Sequence, residues 1–102
     1  MAFTEIYDFE LLKNEAEHLV ILELEKQIEN HDENHETEIC RCNECIVDMA
    51  AIALNAVKPL YRFSLLGTQY AAQAMNEKSY AESVEQAVTQ AINRVKANPG
   101  HD

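Results

Sequence analysis

The sequence predicts an all-α protein, a compact four-helix domain with one short extended segment. The 102 residues include only two glycines and two prolines, so long uninterrupted helices are expected. Hydrophobic residues recur at helical spacing in three long stretches, and a strand-like pattern covers only residues 60–63. With 47% hydrophobic and 25% charged residues, the chain fits a single domain over residues 1–102 with one modest core.

The first helix is predicted over about residues 9–29, because apolar residues there follow a helical period. The apolar arc is wider than one stripe, so the helix needs more than one covering surface. It is therefore either central in the fold or part of a dimer interface, since small domains often gain stability by association. Residues 30–38 contain no apolar side chain and are predicted to form a loop.

The second helix is predicted over residues 44–57, with Asn43 as its N-cap. It is apolar on all sides apart from Asp48 and Asn55, which is typical of a central buried helix. These two residues lie seven positions apart and share one face of the helix. They either reach a ligand or the surroundings of a metal, or they satisfy loop backbone groups in the interior, which is the interpretation we favour.

Pro59 ends the second helix, because the residue before a proline is pushed towards an extended conformation. Residues 60–63 then form the extended segment, with Tyr61 and Phe63 on one side.

A turn at Gly67 precedes a short third helix that Thr68 is expected to cap. A capping-box pattern at residues 79–82 is the local signal for the start of the last helix. The face of this helix that we predict to be buried consists of Tyr80, Val84, Ala87, Val88, Ala91, Ile92 and Val95.

The three cysteines of the chain lie within six residues, at Cys40, Cys42 and Cys45, in a C-x-C-x-x-C pattern. Metal capture requires thiolates this close together, whereas packing in a core does not. Zinc is the ion that such thiolates typically bind in structural sites. We therefore predict a zinc ion that ties the loop before the second helix to the start of that helix.

A structural zinc site takes four ligands, so the cysteine motif lacks one. His35, five residues before Cys40, is the favoured fourth ligand, and the alternatives are His31, His101 or a residue of a second chain. An ion with three thiolates and a fourth ligand has little Lewis acidity and no open position for water, so we expect a structural role. A thioredoxin-like redox role is disfavoured, because no βαβ unit is predicted.

The formal net charge of −10 is concentrated in the first half of the chain. Residues 1–48 contain three Lys or Arg against fourteen Asp or Glu, and the remainder contains five against four. Such a charge repels phosphate backbones, so duplex nucleic acid is not an expected partner. The sequence shows no secretory signal and no apolar stretch long enough to span a bilayer, so we expect a cytoplasmic protein without membrane association.

The stretch from Cys40 to Asn55, followed by Lys58-Pro59-Leu60-Tyr61, resembles the late competence development (ComFB-like) family of bacteria. The shared pattern is C-x-C-x-x-C, then D-x-x-A-x-A-L-N and a proline–tyrosine turn. The resemblance implies a small helical homodimer without catalytic activity, with one zinc ion in each subunit and the three cysteines as its ligands. It also implies a possible ligand, because some members of the family look like receptors for cyclic dinucleotides such as cyclic di-GMP.

The expected function is that of a non-enzymatic, zinc-stabilised dimeric module in regulation or assembly. An enzyme is disfavoured because the sequence shows no nucleophile–base pair and no glycine-rich phosphate loop. The alternative is a cyclic dinucleotide receptor, with Asp48, Asn55, Tyr61 and Arg62 as candidate ligand-binding residues. Arg62 would pair with a phosphate or lie exposed, and Tyr61 is favoured as core or interface packing over stacking on a base.

Overall fold

The structure is a computed structural model that describes residues 1–33, 39–63, 69, 73 and 77–98. The described part of the chain is mostly helical and contains one small two-stranded sheet. Its elements in chain order are α1 (Phe3–Ile6), a 3-10 turn (Phe9–Leu11), β1 (Lys13–Asn14), α2 (Glu15–Glu33), α3 (Asn43–Ala56), β2 (Tyr61–Arg62) and α4 (Lys78–Ala97). The predicted turn at Gly67 and helix cap at Thr68 lie outside the described residues.

Helices α2, α3 and α4 pack against one another around one core, and the largest contact is between α3 and α4. The seven residues predicted for the buried face of α4 are all buried, so that prediction is confirmed. Helix α2 contributes a second buried stripe, made of Ala16, Val20, Leu24 and Ile28. Each of these helices turns an apolar stripe inward, and removing that surface from water is the main term that stabilises the fold.

Helix α2 begins at Glu15, six residues later than predicted, because the chain before it pairs as a strand. The Asn14 side chain caps the helix, since its Oδ1 accepts the backbone N–H of Ala16 at 3.2 Å. At its other end the helix continues to Glu33, so the predicted loop over residues 30–38 is wrong for its first four residues. Polar residues can continue a helix that is already formed, and His31 suits the negative end of the helix dipole.

The antiparallel sheet joins the start of α2 to the segment that follows α3. The residues in register are Lys13 with Arg62 and Asn14 with Tyr61. Two more hydrogen bonds connect the same segments: Leu60 N–H donates to Asn14 Oδ1 at 2.8 Å, and Glu15 N–H donates to the Leu60 carbonyl at 2.8 Å. The predicted extended segment is confirmed as β2, whereas its partner β1 was expected to be helical.

Helix α3 begins at Asn43, and its N-cap is Cys42 rather than the predicted Asn43. Its inward stripe consists of Cys45, Met49 and Ala53, each 0% exposed. Its outward side is open to solvent, where Val47 is 55% exposed. The prediction of a central helix buried on all sides is therefore wrong for the single chain, because α2 and α4 cover only one side of α3.

Helix α4 begins at Lys78 with Glu77 as its N-cap, one residue before the predicted capping box. The Glu77 carbonyl accepts the backbone N–H groups of Tyr80 and Ala81. Ser79, the first residue of the predicted box, therefore already lies inside the helix. The Tyr80 hydroxyl donates to the Lys58 carbonyl at 2.8 Å. This bond fastens the start of α4 to the chain just after α3.

The molecule is flat and expanded for its length. Its Cα radius of gyration is 16.1 Å and its extents are 50 × 36 × 18 Å, whereas a compact domain of this length has a radius of about 13 Å. Among the described helices, none has the length and apolarity that a membrane crossing needs. The large apolar side chains that remain exposed in the described part are Met1, Phe3, Ile6, Tyr7, Phe9, Leu11, Leu12, Ile21, Leu22, Val47, Tyr61 and Phe63.

Replacing Asn14 tests the junction between the sheet and α2. We expect Asn14→Ala to lower the free energy of unfolding by about 1–3 kcal/mol, because the backbone N–H groups of Ala16 and buried Leu60 both lose their acceptor. Asn14→Asp retains an acceptor oxygen and should stay within about 0.5 kcal/mol of the unmodified protein. Urea titration followed by circular dichroism measures both, and equal losses for the two variants would contradict the capping role.

Candidate metal centre

The three cysteines lie around the first turn of α3. Cys40 and Cys42 precede the helix, and Cys45 faces the core from its first turn. The Sγ atom of Cys42 accepts the backbone N–H of Cys45 at 3.4 Å. Sulfur thus takes the place of the oxygen that serine or aspartate usually supplies at an N-cap. The local cap therefore orients one potential metal ligand towards another.

The sulfur atoms of the cluster converge on one point. All three Sγ atoms lie within 4.8 Å of one another, and no disulfide joins them. Sulfurs around a tetrahedral zinc ion, with Zn–S distances of about 2.3 Å, are about 3.8 Å apart, so the cluster needs little rearrangement to hold such an ion. Cys45 is buried, Cys40 is half-buried and Cys42 is exposed, so the cluster is open to solvent on one side.

The pKa values of the Cys45 and Cys40 thiols are shifted in opposite directions. Burial raises the pKa of the Cys45 thiol to about 12, and its hydrogen bonds with Cys40 and Cys42 act in the same direction. Hydrogen bonding to the backbone of Cys42 lowers the pKa of Cys40, and hydrogen bonds with the other two thiols add to this effect. Cys45 therefore keeps its proton at neutral pH. A metal ion would have to displace that proton, because the ligand form is the thiolate.

The fourth ligand is not among the residues that the structure brings together. Within the described ranges, the group of three cysteines is the one cluster of His, Cys, Asp or Glu with metal-site spacing. His31 lies in the last turn of α2 and is not a member of this group. His35, the favoured candidate, and His101 lie outside the described residues. The assignment of His35 therefore stays a prediction.

Asp48 and Asn55 lie on the outward side of α3, and both are exposed. The favoured interpretation, that they satisfy loop backbone groups in the interior, is therefore wrong. Neither side chain forms a hydrogen bond or ion pair with another residue in the described part of the chain. The structure also does not bring Asp48 into the cysteine cluster.

Arg62 forms an ion pair within the fold. Its Nε donates to Oε1 of Glu15, and the two side chains are 37% and 21% exposed. Simple exposure, one of the two predicted alternatives, does not describe this arrangement, and the phosphate contact stays a prediction. Glu15 could not be identified from the sequence, because 47 residues separate it from its partner and no local pattern signals the pair. Tyr61 is 55% exposed, so packing in the core of the single chain is also wrong.

The profile of one protein family matches most of the chain. It covers residues 13–99, and the family is described as late competence development protein ComFB. The chain belongs to the ComFB family. The resemblance predicted from the cysteine-to-tyrosine stretch is thus confirmed, and the match includes the sheet, the three long helices and the cysteine cluster. Helix α1 and the 3-10 turn precede the matched region. No curated protein matches the chain at a significant level.

A double-mutant cycle tests the structural role of Arg62. Single replacements by alanine at Arg62 and Glu15 should each destabilise the protein, with a coupling energy of about 0.5–1.5 kcal/mol, because the pair is partly buried. The matched control is the exposed pair Lys78–Glu82, whose charged atoms are 3.9 Å apart and whose coupling should not exceed about 0.5 kcal/mol. Equal coupling energies for the two pairs would mean that Arg62 does not secure the sheet to α2.

Proposed function

We propose that this ComFB-family protein is a non-enzymatic, zinc-stabilised homodimeric module that acts in regulation or assembly in the cytoplasm. The convergence of three cysteine sulfurs at the start of α3 carries the proposal. The family description supports a role of the late competence development type. A reducing compartment such as the cytoplasm keeps closely spaced thiols available for metal binding.

The donor set favours zinc over the harder divalent cations. Thiolates are soft ligands that select zinc, Cu(I) or iron–sulfur clusters, whereas Mg²⁺ and Ca²⁺ take oxygen ligands. The C-x-x-C spacing of Cys42 and Cys45 is the usual two-thiolate element of structural zinc sites. Cys40, Cys42 and Cys45 would hold the ion together with a fourth ligand, for which His35 is our candidate.

A zinc ion at this position would fasten the start of α3 to the chain that enters it. Cys45 belongs to the buried core, and Cys40 packs against that core from the chain before the helix. Zinc binding in small structural sites is worth about 10–16 kcal/mol, which is comparable to the whole net stability of a domain, about 5–15 kcal/mol. Three thiolates also leave the ion little Lewis acidity, which supports a structural and not a catalytic role.

The exposed apolar surface supports a second copy of the chain as the partner. The molecule is only 18 Å thick along its shortest axis. Side chains such as Ile21, Leu22 and Val47 keep half or more of their surface in water. A second copy would cover apolar surface of this kind, as expected for a small domain with a limited core.

The described residues give no support to the alternative of a cyclic dinucleotide receptor. The guanidinium of Arg62 is paired with Glu15 and is thereby less available to a phosphate. The net charge of −10 also opposes the approach of a dianionic ligand. We therefore do not include nucleotide binding in the proposed function.

Metal analysis of the purified protein tests the zinc centre. We expect about one zinc ion per chain, and less than half an equivalent after Cys42→Ser, because one thiolate ligand is lost. Cys42→Ser should also lower the free energy of unfolding of the zinc-loaded protein by at least about 3 kcal/mol. Elemental analysis and thermal unfolding measure the two effects.

Two comparisons keep this test specific to the metal. After removal of the metal by a chelator, Cys42→Ser and the unmodified protein should unfold within about 1 kcal/mol of each other, because Cys42 is exposed. Ala56→Ser, which places a serine at another exposed position of α3, should change neither metal content nor stability appreciably. An unmodified protein that contains no zinc and does not respond to the chelator would refute the proposal.

Sedimentation velocity tests the dimer independently. At tens of micromolar, the zinc-loaded protein should sediment with twice the chain mass of 11.6 kDa. Chelation is expected to shift the population towards the monomer if the cysteine site shapes the interface. A monomer at all accessible concentrations would refute the dimer while leaving the zinc centre standing.

A further inference from the structure

Helix α3 turns one continuous stripe of its surface to solvent. This α3 stripe consists of Glu44, Val47, Asp48, Ala51 and Asn55, and it lies opposite the buried side that carries Met49. Its positions recur at intervals of three and four residues, so they share one face over about 16 Å of helix. The stripe mixes an apolar centre with polar groups, which is unlike the uniformly charged outer face of an ordinary surface helix.

The three polar members of the α3 stripe, Glu44, Asp48 and Asn55, bond to nothing else in the described chain. The ionised carboxylate of Asp48 only accepts hydrogen bonds, and the amide of Asn55 has two N–H groups to donate. The two residues are two helical turns apart, about 10.5 Å along the axis, with Ala51 near the midpoint. The small side chain of Ala51 leaves room for another helix to approach closely.

This spacing makes the α3 stripe complementary to itself. In a two-fold symmetric contact the same patch is used on both sides, so that residue i of one copy meets residue j of the other and the reverse. When two copies of α3 cross antiparallel near Ala51, Asp48 of each copy lies opposite Asn55 of the other. A parallel alignment in the same register would place two Asp48 carboxylates against each other, which is repulsive. The antiparallel arrangement pairs each Asp48 carboxylate with an Asn55 amide.

We propose that the α3 stripe is the homodimer interface, with two copies of α3 antiparallel and crossing near Ala51. The Asn55 amide of one copy donates to the Asp48 carboxylate of the second copy, and the symmetric bond forms on the other side of the axis. Val47, which lies on the same face, is then covered by the second copy. This inference rests on the dimer of the proposed function and names the surface that forms it.

The test reverses the polar pair and then restores it. Asn55→Asp places a carboxylate opposite Asp48 on both sides of the axis, so the dissociation constant of the dimer should rise at least about 100-fold. The double variant Asp48→Asn with Asn55→Asp exchanges donor and acceptor, and its dissociation constant should return to within about tenfold of the original. Ala51→Glu, with two carboxylates at the crossing point, is an independent variant for which a large rise is also expected.

Sedimentation of the zinc-loaded variants measures these constants, and circular dichroism verifies that each variant is folded. Gln90→Glu is the matched control, because it makes the same amide-to-carboxylate change at an exposed position of α4 and should alter the constant by no more than about twofold. A monomeric unmodified protein would refute the dimer itself. A dimer that tolerates Asn55→Asp, or that the double variant fails to restore, would overturn the α3 stripe alone and favour another exposed surface, such as the aromatic cluster of Phe3, Tyr7 and Phe9.

Discussion

The burial of one side of α3 against α2 and α4 is the interaction on which the rest of the structure depends. Cys45, Met49 and Ala53 are completely removed from solvent and lie at the centre of the core. At one end of this stripe Cys45 brings the metal cluster to the core. At the other end the chain leads into β2, and Leu60, just before this strand, bonds to Asn14 and fixes the start of α2. The position of α3 therefore determines both the cysteine geometry and the strand pairing.

Features that depend on local spacing could be predicted from the sequence. The buried face of α4 was predicted residue for residue, because its apolar positions keep a helical period while the positions between them are polar. The convergence of Cys40, Cys42 and Cys45 is equally local, since all three lie within six residues at the start of one helix. The short strand after Pro59 could also be predicted from local sequence, because the proline limits the conformation of its neighbours.

Features that depend on distant contacts could not be predicted. The start of α2 is set by Asn14 and Leu60, which are 46 residues apart, and a helical period continues through this point in the sequence. The ion pair of Glu15 with Arg62 could not be predicted for the same reason, since 47 residues separate its members. The outward side of α3 was mispredicted for a different reason. Hydrophobicity indicates that a surface is covered, but it does not say whether the same chain or a second copy covers it.

The proposed metal ligands and the proposed dimer surface belong to the same helix, and this connects them physically. Cys45 and Glu44 are neighbours in the first turn of α3, where the Cys42 sulfur is the cap. The first N–H groups of a helix have no intrahelical acceptor, so this turn frays when its cap is not held. A zinc ion would keep the Cys42 sulfur in the capping position and would thereby keep the first turn helical. The zinc ion would thereby also preserve the Glu44 end of the α3 stripe, to which a second copy would bind.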